Sequence, residues 1–155
     1  MIYIGICTAD TDTAITLKQL ASKLGKTDTA IRFYSNDLKY DVVLITPSAC
    51  VAGLTIAAKH IIVPDCLDLN EISGELGKNV IGYGLLPKNT VTASSITQNC
   101  MSVAIQRKYT TVCGKTIGEQ EFIIRSGLCA EPEKALGIIS TLLVLGVSPE
   151  ELSAI

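Results

Sequence analysis

The sequence predicts an α/β protein: a mostly parallel sheet flanked by helices, with a small antiparallel β part in the second half. Three observations carry this. Residues 1–25 read as an apolar run, a short polar loop and an amphipathic run ending in Gly25, the strand–loop–helix with which α/β proteins begin. Two later apolar runs, 41–46 and 60–64, are continuous rather than alternating. One stops just before Pro47 and the other ends in Pro64, as in parallel strands covered on both faces. From Lys78 onward the chain changes to short β-branched or alternating stretches with turn residues between them.

Composition narrows the class. At 155 residues the chain is one domain by length and can bury a core. A hydrophobic content of 48% and a mean hydropathy of +0.40 argue against disorder. No apolar run reaches the ~18 residues of a membrane span. The net charge is −2 with pI about 5.4, and no basic patch interleaves with aromatics, so nucleic acid is not the expected partner. Residues 1–3 start a strand without a basic region or cleavage site, which leads to the expectation of no signal peptide and a cytoplasmic location. The six cysteines (Cys7, Cys50, Cys66, Cys100, Cys113, Cys129) are scattered, without a C-x-x-C pair and with His60 as the only imidazole. Neither a zinc site nor a disulfide framework is expected, and the thiols read as mostly buried small hydrophobes.

Taken in order, Asp10 or Thr11 caps the first helix, and Asp12 suits the positive end of its dipole. Ala14, Leu17, Ala21 and Leu24, with Leu20, form its buried stripe. Residues 30–34 and 41–46 are strands. Residues 49–59, small and apolar, are predicted as a short helix, 60–64 as a strand, and 68–76 as a second short helix capped by Asp68. Then come a strand over 80–84, a turn at Pro87-Lys88-Asn89, and short strands within 90–98, 101–109, 110–113 and 119–125. Glu131-Pro132-Glu133 opens a long apolar helix that closes at Gly146, and Ser148-Pro149-Glu150-Glu151 is a capping box. The chain divides into an α/β part (1–78), a β-meander (79–127) and closing helices (128–155), all within one domain.

The second half carries a family resemblance. Val80-Ile81-Gly82-Tyr83-Gly84, continuing to Thr92-Ala93-Ser94-Ser95-Ile96, resembles the strand ending in Tyr-Gly and the following Thr-Ala-x-x-Ile segment of the Mur ligase central domain. Residues 135–151 are similar to the helix that closes that domain. The Mur ligases are ATP-dependent amide ligases of peptidoglycan precursor synthesis, and their central domain implies a Rossmann-like sheet with a small β-subdomain. The resemblance covers about half the chain.

It also gives the opening loop a register. The family's first strand runs into Gly-x-Thr-Gly-Thr-Asn-Gly-Lys-Thr-Thr, whose glycines and lysine cradle ATP phosphates. Here Gly5 and Thr13 agree with that pattern. Thr8 and Thr11 stand at glycine positions, Asp10 at the asparagine and Asp12 at the lysine. A carboxylate in place of an ammonium at about 4 Å from a phosphate reverses an interaction of about 4 kcal/mol at an effective dielectric near 20. The resemblance therefore implies a degenerate phosphate loop formed by Gly5, Thr8, Asp10, Thr11, Asp12 and Thr13, with no nucleotide cofactor, no metal and no catalytic residue. Counterparts of the family's metal-binding glutamate and histidine, its Asn-x-x-Asp-His motif and its two flanking domains are not found in these 155 residues.

Other motifs read blandly. Gly25-Lys26-Thr27 and Gly114-Lys115-Thr116 spell the end of a Walker A motif, but Leu20 and Tyr109 stand where its first glycine belongs. They read as a helix stop and a hairpin turn. Asp65 and Asp68 read as caps, His60 as structural, and Ser48 and Cys50 as lacking a base. The expectation is a cytoplasmic, non-catalytic relative of the Mur ligases, tied to peptidoglycan precursor synthesis. It would bind a protein partner or small ligand near the C-terminal ends of its parallel strands. Two other readings remain open: an ATP-dependent amide ligase subunit completed by separately encoded domains, and a homo-oligomeric assembly module built on the apolar helix.

Overall fold

The computed structural model describes residues 1–74 and 76–155. Strands β1 (Ile2–Cys7), β2 (Thr29–Phe33), β3 (Tyr40–Ile45), β4 (Ala58–Pro64), β5 (Leu76–Tyr83), β6 (Val91–Ile96) and β7 (Cys100–Ile105) enter one large sheet. A hairpin of β8 (Tyr109–Thr110) and β9 (Thr116–Ile117) follows as a separate two-stranded antiparallel sheet, and β10 (Gln120–Arg125) returns to the large one. The eight strands lie in the order β10-β7-β6-β5-β4-β3-β1-β2. Every pair from β2 across to β6 is parallel, and β7 and β10 add antiparallel. This is the α/β class that the sequence predicts.

The apolar runs become strands because both faces are covered. Along β3, Val42 and Leu44 point to one face and Val43 and Ile45 to the other, and all four are buried. The first face carries helices α1 (Asp12–Lys23) and α2 (Pro132–Val144), with the short α3 (Pro149–Ser153) after them. The second is sealed by the segments after β3 and β4, through Val51, Ile56, Leu67 and Ile72. Each large aliphatic side chain so buried contributes about 1.5–3 kcal/mol. Among the described residues, no helix is long and apolar enough to cross a membrane.

Those sealing segments correct two helix expectations. Residues 49–57 are irregular, with one turn at 52–53 and an isolated bridge at Thr55, and β4 already begins at Ala58. Gly53 takes a positive φ of 76° there, and Ile56 donates its N–H to the Ser73 carbonyl across a two-segment bridge. The apolar side chains are spent on the sheet face rather than on a helical stripe. Likewise, among the described residues of 68–76 the helical part is a 3₁₀ turn, Leu69–Glu71, which Asp68 caps by accepting from the Asn70 N–H at 2.9 Å. The backbone is extended again at Ile72. Glu75, in the same predicted helix, lies outside the described residues.

Helix ends follow the sequence closely. Pro132 occupies the first turn of α2, Gly146 follows α2 with φ 88°, and Ser148 and Glu151 form the reciprocal capping box at 3.2 and 2.7 Å. Gly114, with φ 86°, closes the β8–β9 hairpin. The thiol expectation needs correcting: all six cysteines are free, but only Cys7 and Cys129 are buried, while Cys50, Cys66 and Cys113 are exposed. Apolar runs hide Cys7, whose thiol burial pushes up to about 12; the exposed three sit in loops where no such run exists.

The loop after β5 is organised by Asp65. Its carboxylate accepts from the Leu86 N–H at 3.1 Å and the Asn89 amide at 3.0 Å, and Asn89 is itself buried. Gly84, at φ 145°, passes so close that a Cβ there would run into that carboxylate. Gly25, at φ 74°, has open space around it. Gly84→Ala is therefore expected to destabilise by about 3 kcal/mol, from strain plus collision, against about 1 kcal/mol for Gly25→Ala. Urea unfolding of the two variants measures the difference.

Candidate functional site

In the sheet, β2 lies on one side of β1 and β3 on the other, so the chain changes direction between β1 and β3. Strands that diverge in this way leave a crevice beyond their carboxyl ends, where open α/β sheets take ligands. A cleft of about 470 Å³ opens there. Its floor is Leu44 and Tyr83, and Thr46 and Ser48 line it from the end of β3. The first turns of both long helices face it, bringing Asp10 and Thr13 from α1 and Glu131, Glu133 and Lys134 from α2.

The polar wall is one connected network. Thr13 donates both its N–H (2.9 Å) and its hydroxyl (3.0 Å) to one oxygen of Asp10. The Thr8 hydroxyl donates to the other oxygen at 3.1 Å. Thr46 donates to the Thr8 hydroxyl at 2.9 Å, and Ser48 lies 3.1 Å from the Thr46 hydroxyl. A carboxylate only accepts, so it orients the chain of hydroxyls from Ser48 through Thr46 and Thr8 toward Asp10. Ser48 also accepts from the Ala9 N–H at 3.3 Å, which ties the two strand ends together. Slight desolvation of Asp10 works toward a higher pKa, but the donors from Thr13 and Thr8, and the charge of Lys134, hold the carboxyl below its ordinary value.

Asp10 thereby does the capping that Thr11, the formal N-cap, does not do with its own side chain. The Thr13 N–H is one of the orphan donors of the α1 N-terminus, the groups that a bound phosphate would engage. Here the chain's own carboxylate engages it. On α2, Lys134 lies 3.9 Å from Glu131, so the cleft's ammonium already has a carboxylate partner. Three carboxylates face the cleft against one ammonium.

Tyr83 sets the depth. Its hydroxyl donates to the Ile45 carbonyl at 2.7 Å, and burial raises the phenol well above its ordinary range, so it stays protonated. The ring lies against Gly137 of α2, where an added Cβ would sit 2.9–3.1 Å from ring atoms.

Of the six loop residues singled out by sequence, Thr8, Asp10 and Thr13 come together. Thr11 and Asp12 are exposed at the start of α1, and neither lines the cleft. Gly5 faces away from it. Its missing side chain makes room for Tyr34 and Tyr40, whose rings are 5.0 Å apart and whose atoms would lie 3.0 Å from a Cβ. Lys134 and Gly137 escaped the sequence reading, while Thr46 was read only as part of a strand and Tyr83 only in the segment that resembles the ligases, neither as a site residue. Ser48 and the pair Glu131 and Glu133 were visible in it, as a strand-end serine and as helix-start acids. Among the described residues no group of three or more His, Cys, Asp and Glu could hold a metal ion.

Compared with family models and with curated proteins, the chain matches none.

Asp10→Ala removes the acceptor for two Thr13 donors and is expected to cost about 1 kcal/mol in urea unfolding. Asp12→Ala, which breaks no hydrogen bond, is expected to cost less than half of that. Because the Asp10 carboxyl is held below 3.8, its stabilisation is present above that pH and is lost as the folded-state carboxyl protonates. Wild type and Asp10→Ala should therefore converge in stability in strong acid.

Proposed function

We propose that this protein is a Mur ligase-like, non-catalytic binding protein whose cleft takes a small ligand rich in hydrogen-bond donors. The observation that carries the reading is the Asp10 carboxylate on the Thr13 N–H, which occupies the position a nucleotide phosphate needs. The sequence resemblance supports the family reading: the strand ending in Tyr83-Gly84 and the closing helix α2 are the segments that resemble the ligases, and they form the cleft's floor and one of its walls. Of the six positions matched to the ATP loop, three build an acceptor wall instead of a phosphate cradle.

Charge and volume set the ligand class. Three carboxylates and the hydroxyls of Thr46 and Ser48 surround an apolar floor, an environment that favours ammonium, amide or hydroxyl groups and repels polyphosphate. About 470 Å³ admits a molecule of sugar or amino-acid size.

Calorimetry and amide NMR test this. Mg-ATP is expected to give no binding heat at micromolar concentrations. Glucosamine is expected to shift the amide signals of Ala9, Thr46 and Ser48, whereas glucose 6-phosphate is not. Micromolar Mg-ATP binding that shifts the amide signals of Ala9, Thr46 and Ser48 would overturn the reading.

A further inference from the structure

His60, the only histidine in the chain, lies at the opposite end of the sheet from the cleft. It is the third residue of β4, in register with Val42 of β3 and Asn79 of β5, and so shares the helix-covered face. The residue is 5% exposed. Neither ring nitrogen has a hydrogen-bond partner. Such an orphaned polar atom is costly even when the ring is neutral, and a buried unpartnered imidazolium costs more.

The hairpin β8–β9 lies over this ring, bringing the Thr110 backbone beside it. The hairpin has two cross-strand pairs and no ladder to the large sheet. It is held down by the Val112 N–H on the Val144 carbonyl at 2.9 Å, by the buried side chains of Tyr109 and Thr111, and by Val112 and Ile117, which are half-buried against the core. Few interactions thus hold a cover over a group that becomes a buried charge when it takes a proton. Under the hairpin, Leu143 and Leu145 of the α2 end line a cavity of about 320 Å³.

We propose that the β8–β9 hairpin is an acid-released cover: in mildly acidic solution protonation of His60 loosens residues 109–117 and bares the apolar end of α2, while the parallel sheet stays folded. The charges acting on the ring among the described residues are Asp41 of β3 and Lys59 of β4, and they pair with each other at 3.2 Å. Asp41 also accepts the Tyr3 N–H at 2.9 Å, so its carboxylate is already engaged. From β8 it is the Thr110 backbone that lies beside the ring, and the neighbouring Tyr109 phenol, which burial raises to about 12, stays neutral. Residues 135–144 of α2 contain no ionisable side chain, and Asn79 on β5 does not titrate. Burial leads the effects on the ring: the Asp41 and Thr110 backbones and the Asp41 charge favour the proton, but burial, aided by the Lys59 charge, outweighs them and lowers the pKa below 6.5. The closed hairpin then binds fewer protons than the open one. Its hold is complete above pH 6.5 and weakens as the pH falls from there toward the folded-state value.

Hydrogen exchange read by mass spectrometry on the full chain, corrected for the intrinsic exchange rate at each pH, tests this. Between pH 7.5 and pH 5.5, protection of 109–117 relative to β3 is expected to fall by up to about ten-fold, the limit for a ring that opens from neutral to protonated one pH unit below 6.5. His60→Gln and His60→Leu are expected to remove that pH dependence. As the only histidine, His60 also gives a single imidazole proton signal, expected to titrate below 6.5. A hairpin whose relative protection is the same at both pH values, a loosening shared equally by β3, or a ring that titrates at 6.5 or above would each overturn the proposal.

Discussion

The burial of α2 is the constraint on which the other elements depend. Residues 135–144 are all buried, and the helix packs on β3, β4, β5 and β6 as well as on α1. A helix apolar all round is stable in water only if it is enclosed. Its two hydroxyls are accommodated without outside partners, because Ser140 and Thr141 donate back to the Leu136 and Gly137 carbonyls at 2.7 and 2.9 Å. Gly137 lets the helix come down onto Tyr83, and Tyr83 in turn reaches the end of β3. The depth of the cleft and the seating of the helix are thus one packing solution.

Both long helices point their N-termini into the cleft, an arrangement that elsewhere attracts anions. Each is met there by carboxylates, Asp10 just before α1 and Glu131 and Glu133 at the start of α2. The partial positive charge of each helix end is met from within the chain. What faces the opening is three carboxylates and the hydroxyls of Thr46 and Ser48, with the one ammonium, Lys134, lying 3.9 Å from Glu131.

Much of this was readable from sequence, and the failures have a common cause. β1, β3 and β4 were legible because a strand covered on both faces leaves a continuous apolar run, and α2 and α3 because Pro132, Gly146 and the Ser148–Glu151 box punctuate them. Residues 49–57 have a helix-like composition, but Val51 and Ile56 are committed to a sheet face that local sequence does not reveal. In the site, Thr8, Asp10 and Thr13 are near neighbours and could be read together. Thr46 joins them from 38 residues away and Lys134 from the far end of the chain, because strand order places them there. Gly5 matched the family's loop pattern, yet its position reflects two tyrosine rings on the opposite face.

One rung joins the two parts of the large sheet. β5 and β6 share a single register pair, Tyr83 with Val91, so β6 starts where β5 stops. Mechanically the sheet is two rafts, a parallel one of five strands and one of three in which β6 is the inner edge, meeting at a corner. A ladder of many rungs resists shear by itself; a joint of one rung does not. The stiffness of that corner comes from α2, which spans it like a splint by touching β5 on one side and β6 on the other. The cleft floor at Tyr83 sits on this joint, so its rigidity is borrowed from the helix above rather than from the sheet beneath.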